Sequence, residues 1–179
     1  MTKNVVILHT SPRQDGNSHT LAEVFSAGAE AAGHRVQRFN IGKANISGCL
    51  ACDYCRVNDH RCLLDDDMQD IYPAIFTADC VVFATPLYFF GFPAQLKAVI
   101  DRLYAYGPEY FQKESVLLMV AEDRQINIFD AAKKNYEMAM LEYLQWTDRG
   151  ILLVPGVNIP GDIENNPALM DAYKLGFNL

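Results

Sequence analysis

Residues 5–20 have the sequence VVILHTSPRQDGNSHT, in which an apolar run is followed by a polar loop and then by a helical pattern. The continuous run Val5–Leu8 is typical of a strand that is buried on both faces. The loop is rich in hydroxyl side chains and carries one glycine, Gly16. The segment therefore predicts a strand, a loop and a helix, which is the repeating unit of a parallel α/β sheet.

The same alternation continues along the chain. Further strands are predicted at Arg35–Ile41, Cys80–Thr85, Ser115–Ala121 and Gly150–Val154. Helical periodicity predicts helices at Ser18–Ala32, Pro93–Tyr104, Asn127–Trp146 and Pro167–Leu175. Five strands joined by right-handed crossovers fit the order 2-1-3-4-5. We therefore predict an α/β fold, a flavodoxin-like three-layer sandwich with a five-stranded parallel sheet and helices on both faces.

Composition narrows the class of protein. The chain has 179 residues, of which 50% are hydrophobic and 21% charged, and this balance predicts one globular domain over residues 1–179. No apolar run approaches the roughly 18 residues of a membrane span, and the run after Lys3 is too short for a secretion signal. The net charge of −7 argues against nucleic-acid binding. We expect a cytoplasmic protein that binds neither nucleic acid nor membrane.

The loop between the first strand and the first helix is a candidate phosphate site. A helix N-terminus offers unpaired N–H groups and the positive end of the helix dipole. Ser11, Ser18 and Thr20 add hydroxyl groups, and Arg13 adds a cation. The loop has neither a Walker nor a G-x-G-x-x-G pattern. The alternative is that Asn17 or Ser18 only caps the helix beside a polar loop.

The loop after the third strand concentrates aromatic residues between two prolines. Residues 85–93 have the sequence TPLYFFGFP and follow the carboxyl end of a predicted parallel strand. Doubly wound sheets bind ligands at that edge, and aromatic rings stack on planar ligands. The loop therefore favours a flat ring system as ligand. The alternative for each ring is packing under the loop or in a subunit interface.

A cysteine-rich insertion at about residues 45–68, the cysteine segment, is too long for an ordinary connection. Its cysteines have the spacing C-x2-C-x2-C-x6-C, at Cys49, Cys52, Cys55 and Cys62. This spacing is similar to the opening of a ferredoxin run and favours a [4Fe–4S] cluster. Zinc, which more typically takes two separated cysteine pairs, and an empty or catalytic dithiol set are the alternatives.

Two further groups of residues are expected to have no metal or catalytic role. The four histidines show no metal-type spacing: His9, His19, His34 and His60. Asp101 and Arg102 are expected to form a salt bridge at the end of a helix.

Three motifs occur in an order that resembles one family. They are Ser11-Pro12-Arg13 with Gly16-Asn17-Ser18, then Pro86–Phe89, then Pro93–Lys97 leading to Asp101-Arg102. From Val5 to about Leu175 the chain resembles the NAD(P)H-dependent FMN reductase family of flavodoxin-like proteins. The cysteine segment leading into Asp66-Asp67-Met68 is similar to the iron–sulfur flavoprotein branch of that family.

The resemblance implies FMN as cofactor and NAD(P)H as co-substrate. It assigns the phosphate to Ser11, Arg13, Asn17, Ser18 and Thr20, and the isoalloxazine ring to Pro86, Leu87, Tyr88 and Phe89. One departure is Thr10, which stands where a glycine is common. Another is Ala121–Arg124, which replaces a Thr/Gly-rich loop near the ring. A carboxylate such as Glu122 there would lower the flavin potential, unless Arg124 pairs with the acidic groups.

The leading functional hypothesis is an FMN-dependent oxidoreductase. It would take electrons from NAD(P)H or a ferredoxin-like donor and pass them to a small-molecule acceptor, and no catalytic side chain is identified. The alternatives are a non-catalytic flavodoxin-like electron carrier, with a redox protein as partner, and a cysteine-based redox or metal sensor. A homodimer or homotetramer is also expected, because aromatic residues crowd the ligand edge and would leave an apolar patch on a monomer: Phe89, Phe90, Phe92, Tyr104, Tyr106, Tyr110 and Phe111.

Overall fold

The structure, a computed structural model, describes residues 1–106 and 112–179. In this part of the chain five strands form one sheet: β1 Asn4–His9, β2 Arg35–Asn40, β3 Cys80–Pro86, β4 Glu114–Val120 and β5 Thr147–Val154. Neighbouring strands pair in parallel in the order β2-β1-β3-β4-β5. The predicted fold class and strand order are therefore confirmed.

Helices cover both faces of the sheet, and they are α1 Asn17–Ala31, α2 Met68–Thr77, α3 Ala94–Arg102, α4 Asp130–Tyr136 and α5 Ala168–Phe177. Alternate β1 side chains enter two apolar clusters, because successive side chains of a strand point to opposite faces. Val5 and Ile7 pack with α1 and α5. Val6 and Leu8 pack with α2, α3 and α4. The central strands β1, β3 and β4 are thus buried on both sides, as their unbroken apolar runs predict, whereas the edge strands β2 and β5 are more exposed.

The predicted long helix at Asn127–Trp146 is wrong in detail. A 3-10 turn, Ile126–Phe129, precedes α4, and a π-helical stretch, Glu137–Tyr143, follows it. Because the winding changes, the backbone N–H of Trp146 donates to the Met140 carbonyl at 2.8 Å, and the indole ring of Trp146 is buried. Burial of this large ring outweighs the regular helical pattern of hydrogen bonds. Strand β5 consequently begins at Thr147 rather than at Gly150.

Within the described residues, no helix is long and apolar enough to cross a membrane. Tyr110 and Phe111 of the expected aromatic patch lie outside the described residues. The assignment of residues 1–179 to one domain with an insertion at about 45–68 stays a prediction.

Candidate functional site

A pocket opens at the carboxyl edge of the sheet, where the loops after β1, β3, β4 and β5 meet. Seven of the nine residues expected to bind the cofactor line this carboxyl-edge pocket: Ser11, Arg13, Asn17, Ser18, Pro86, Leu87 and Tyr88. Two others, Thr20 and Phe89, lie outside its lining. The topology therefore brings the candidate phosphate loop and the candidate ring loop to one place, although they are far apart in sequence.

The phosphate loop is held by hydrogen bonds within the loop and to its neighbours, and no side chain caps the helix that follows it. Gly16 is the N-cap of α1, and no side chain caps this helix by a hydrogen bond. The alternative in which Asn17 or Ser18 caps the helix is therefore wrong. The Ser11 hydroxyl instead accepts a hydrogen bond from the Arg13 N–H at 3.2 Å. The end of α1 is left open to an anion, which a helix N-terminus favours.

Asn17 and Arg13 connect the phosphate loop to the loop after β5. The Asn17 amide nitrogen donates to the Ile159 carbonyl at 3.0 Å, and its oxygen accepts from the Ile163 N–H at 3.2 Å. Arg13 Nη1 donates to the Asn158 carbonyl at 2.8 Å. Both ends of the Asn17 amide are used in the wall of the pocket. Arg13 keeps further N–H groups for a ligand, because a guanidinium has five.

The ring loop ends in a tight turn of strained residues. Tyr88 and Gly91 exchange two backbone hydrogen bonds, at 3.0 and 2.9 Å. Between them Phe89 and Phe90 have φ angles of 46° and 61°, in the left-handed region. Such a turn favours Asn and Gly at these positions. Two consecutive phenylalanines there are costly and are both exposed, so local stability does not explain them.

A carboxylate faces the same pocket after β4. Glu122 is among the lining residues and is exposed to solvent. The neighbouring Asp123 accepts a hydrogen bond from the Gln125 N–H at 2.8 Å. Glu122 is therefore the acidic residue of Ala121–Arg124 that lines the pocket.

The cysteine segment forms a second pocket, the cysteine pocket. It is lined by all four cysteines of the spacing motif, Cys49, Cys52, Cys55 and Cys62. The backbone that carries them has four left-handed residues other than glycine, namely Ala51, Asp53, Asp59 and His60. The N–H of Ala51 donates to Cys49 Sγ at 3.4 Å. Such strain is typical of segments shaped for a ligand.

The arrangement of the four thiols bears on what this pocket could hold. Burial raises the pKa of the Cys55 thiol, and the nearby thiol of Cys62 raises it further. Across the residues that the structure describes, no three cysteine sulfurs lie within 4.8 Å of one another. One tetrahedral zinc ion would need sulfurs about 3.8 Å apart, since its bonds to sulfur are about 2.3 Å. A zinc ion would therefore require the cysteine side chains to move closer together.

A buried ion pair fixes the cysteine segment to α3. Arg102 Nη1 donates to Asp66 Oδ2 at 2.8 Å and to the Ser47 carbonyl at 3.0 Å. Asp101 instead pairs with Lys97 at 2.5 Å on the surface. The expected Asp101–Arg102 salt bridge is therefore wrong, because the two side chains point to opposite sides of the helix. Arg102 also lines the cysteine pocket, a role that no spacing in the sequence indicated.

Comparison with known proteins identifies the family of this chain. The model of the family described as NADPH-dependent FMN reductase matches residues 3–137. The chain belongs to this family. The match includes the phosphate loop, the cysteine segment and the ring loop.

Iron–sulfur flavoproteins are among the curated relatives of this chain. One, from Methanosarcina thermophila, is 36% identical over 92 residues, 51% of this chain and 48% of that protein. Another, from Archaeoglobus fulgidus, is 34% identical over 124 residues, 67% of this chain and 63% of that protein. The chain thus spans from about half to just under two thirds of these relatives' length. The names agree with the branch that the cysteine segment indicates.

Solved structures of similar fold cover the whole chain. An NAD(P)H:quinone oxidoreductase from Methanothermobacter marburgensis has 25% identity and a TM-score of 0.76, over 99% of this chain and 96% of its own. An azoreductase from Bacillus anthracis has 20% identity and a TM-score of 0.73, over 100% of both chains, and shows the fold alone.

Proposed function

We propose that this protein is an FMN-dependent oxidoreductase that oxidises NAD(P)H and passes the electrons to a small-molecule acceptor. The observation that carries the proposal is the carboxyl-edge pocket, which joins an open helix N-terminus to the Pro86–Tyr88 loop. Family membership supports FMN and NAD(P)H as its cofactor and co-substrate. The acceptor, and a ferredoxin-like donor in place of NAD(P)H, are finer assignments that need the experiment below.

The residues of this pocket fit FMN. The N–H groups at the start of α1, the hydroxyls of Ser11 and Ser18, and the Arg13 guanidinium would hold one phosphate. Thr20 is one turn further along α1 and, alone among the five predicted phosphate residues, lies outside the lining. Asn17 would act through the loop that it fixes.

The ring side of the pocket would exclude water and orient the cofactor. Pro86, Leu87 and Tyr88 supply apolar surface, and the Leu87 N–H is fixed by a 2.8 Å bond to the Val120 carbonyl. When bound, FMN supplies the hydride and electron chemistry, while the protein contributes orientation and electrostatics. The Glu122 carboxylate would disfavour negative charge on the ring. We assign no catalytic side chain.

We infer that Cys49, Cys52, Cys55 and Cys62 hold a [4Fe–4S] cluster. Their spacing in the sequence, their shared pocket and the hydrogen bond from the Ala51 N–H to Cys49 Sγ support this assignment. The iron–sulfur names of two relatives add to it. A cluster here would exchange electrons with a redox protein or with a flavin nearby.

We also infer a homodimer or homotetramer. The rings of Phe89 and Phe90 are exposed on their turn, and Tyr104 is partly exposed beside the cysteine pocket. Contact between subunits would cover these rings. Phe92 and Tyr106, in contrast, pack against the core of their own chain.

Steady-state kinetics and flavin titration test the function together. FMN should bind at least as tightly as FAD, because the loop has room and charge for one phosphate, and clearly tighter FAD binding would contradict the site. Anaerobically prepared holoprotein should oxidise NADH or NADPH with a quinone or free flavin as acceptor. FMN binding without turnover by either nucleotide would instead favour the electron carrier. Absence of flavin binding would leave the cysteine-based sensor.

A further inference from the structure

Two histidines and a glutamate meet beneath the phosphate loop. His9 is the last residue of β1, and His19 and Glu23 lie four residues apart on α1. Glu23 Oε1 is 3.4 Å from His9 Nε2 and 4.0 Å from His19 Nε2. The imidazole rings are 4.5 Å apart between centroids. We call this group the histidine cluster.

His9 is buried without a hydrogen bond for its ring. Its side chain is 5% exposed, and neither ring nitrogen has a hydrogen-bond partner. A buried polar group without a hydrogen-bond partner lowers the stability of the fold. A ligand bound to the His9 imidazole would remove this cost. Burial, together with the nearby His19 and Arg38, lowers the pKa of His9 to about 4.

The three ligand atoms are close enough for small side-chain rotations to bring them around one metal ion. All lie within 4.8 Å of one another, and tetrahedral zinc with bonds of 2.0–2.1 Å would set them about 3.3 Å apart. A pair spaced i, i+4 on a helix presents both ligands on one face, as in known zinc helices. Side-chain rotation can close the difference, since His19 and Glu23 are 34% and 41% exposed.

We propose that His9, His19 and Glu23 form a binding site for a divalent transition-metal ion, with Zn²⁺ as the representative occupant. Two imidazoles and one carboxylate are a ligand set that suits Zn²⁺ and excludes the harder Mg²⁺ and Ca²⁺. The partly exposed side of the cluster leaves the fourth position to water. The ion joins the end of β1 to the first turns of α1 and so fixes both ends of the phosphate loop.

Arg38 competes with the ion for the same carboxylate oxygen. Its Nε is 3.4 Å from Glu23 Oε1, while its Nη2 makes a firmer bond to Glu30 Oε1 at 2.9 Å. When Glu23 binds the metal ion, Arg38 therefore keeps Glu30 as its ion-pair partner. The like charge of the guanidinium opposes the ion, so Arg38→Gln should tighten binding while Glu23→Gln weakens it.

Cobalt titration under anaerobic, reducing conditions tests the site. Co²⁺ can replace Zn²⁺ in such sites and absorbs visible light. Cobalt bound by cysteine also shows a strong thiolate charge-transfer absorption, which distinguishes it from cobalt bound by histidine and glutamate. In addition to any Co²⁺ that the cysteine thiolates bind, the wild type should bind one Co²⁺ per chain at the histidine cluster. His19→Ala and Glu23→Gln should bind this ion at least tenfold more weakly, and Arg38→Gln more tightly. His34→Ala, which removes a histidine outside the cluster, is the matched control.

Two results would overturn the site. One is a wild-type titration that shows only thiolate-bound cobalt. The other is identical titration of the wild type, His19→Ala and Glu23→Gln. FMN affinity of each variant, measured alongside, keeps this result separate from the proposed oxidoreductase function, and circular dichroism confirms that the variants are folded.

Discussion

Arg102 donates hydrogen bonds through two guanidinium nitrogens to the two oxygens of Asp66, at 2.8 and 3.2 Å. Both side chains are buried, at 1% and 5% exposure. Asp66 also accepts bonds from the N–H groups of Ser47 and Met68. One ion pair thus holds both ends of the cysteine segment against α3, and the geometry of the cysteine pocket depends on it.

Asp66→Ala is expected to lower the free energy of unfolding by about 3–5 kcal/mol, because it leaves a buried guanidinium without its counter-charge. Asp101→Ala is the matched control. It removes an exposed partner of Lys97, four residues away on the same helix, and should cost roughly 0.2–0.5 kcal/mol. Urea unfolding of both variants measures the difference, and equal losses would contradict a structural role for the Asp66–Arg102 pair.

Acid should weaken the same pair. Burial raises the pKa of Asp66, but hydrogen bonds from Arg102, Ser47 and Met68 outweigh it and hold the pKa below its ordinary value. The ionised carboxylate therefore stabilises the fold above about pH 4, the ordinary value of an aspartate. This contribution is lost as the pH falls through the lower, folded pKa. The difference in unfolding free energy between wild type and Asp66→Asn should shrink from pH 6 to pH 3, and a constant difference would refute the assignment.

Local pattern was sufficient to predict the strand order and the edge of the sheet at which the two candidate loops meet. The apolar run Val5–Leu8 and the helix after it determine the first unit, and parallel strands bring later loops to the same edge. The Asp66–Arg102 pair was not predictable, because its partners are 36 residues apart and an adjacent Asp101 offered a nearer explanation. This long-range ion pair depends on how the cysteine segment folds back onto α3. The hydrophobic periodicity of the sequence carries no information about that.

The histidine cluster was missed for a related reason. His19 and Glu23 have i, i+4 spacing on a predicted helix, and that signal was available in the sequence. His9 belongs to a strand, and only the turn between β1 and α1 brings its ring to the helix. The break in the predicted helix at Asn127–Trp146 depends likewise on the burial of Trp146, a tertiary effect that overrides local propensity.

Gly42→Ala should weaken FMN binding through the phosphate loop. A Cβ at residue 42 would lie 2.4 Å from the Ser11 carbonyl carbon and oxygen, so the loop must move. We expect a loss of roughly tenfold or more, about 1.4 kcal/mol. Gly48→Ala is the matched control, because a Cβ there meets no atom within 4 Å. Fluorescence titration of FMN compares the two, and equal affinities would show that Ser11 does not position the phosphate.

Replacing Phe89 and Phe90 in the strained turn should have opposite effects on the stability of the fold and on the association of subunits. Phe89→Asn with Phe90→Gly supplies residues that tolerate the observed φ angles and should raise the unfolding free energy by roughly 1–2 kcal/mol. The same change removes two exposed rings, so the homo-oligomer should dissociate in light scattering. Phe177→Asn, which removes a half-exposed ring from α5, should leave assembly unchanged. An intact oligomer in the double variant would place the subunit contact elsewhere.

The iron content of the cysteine pocket decides what its four thiols hold. After anaerobic reconstitution the wild type should contain about four irons and matching sulfide per chain, and Cys52→Ser clearly less. Cys80→Ala is the control, since Cys80 is buried in β3, away from the pocket, and should keep the wild-type iron. A zinc ion would require the sulfurs to close to about 3.8 Å, and it would give no visible absorption. Fewer than about two irons per chain, equal in wild type and Cys52→Ser, would mean that these cysteines do not form the four-iron site that their spacing and their shared pocket support.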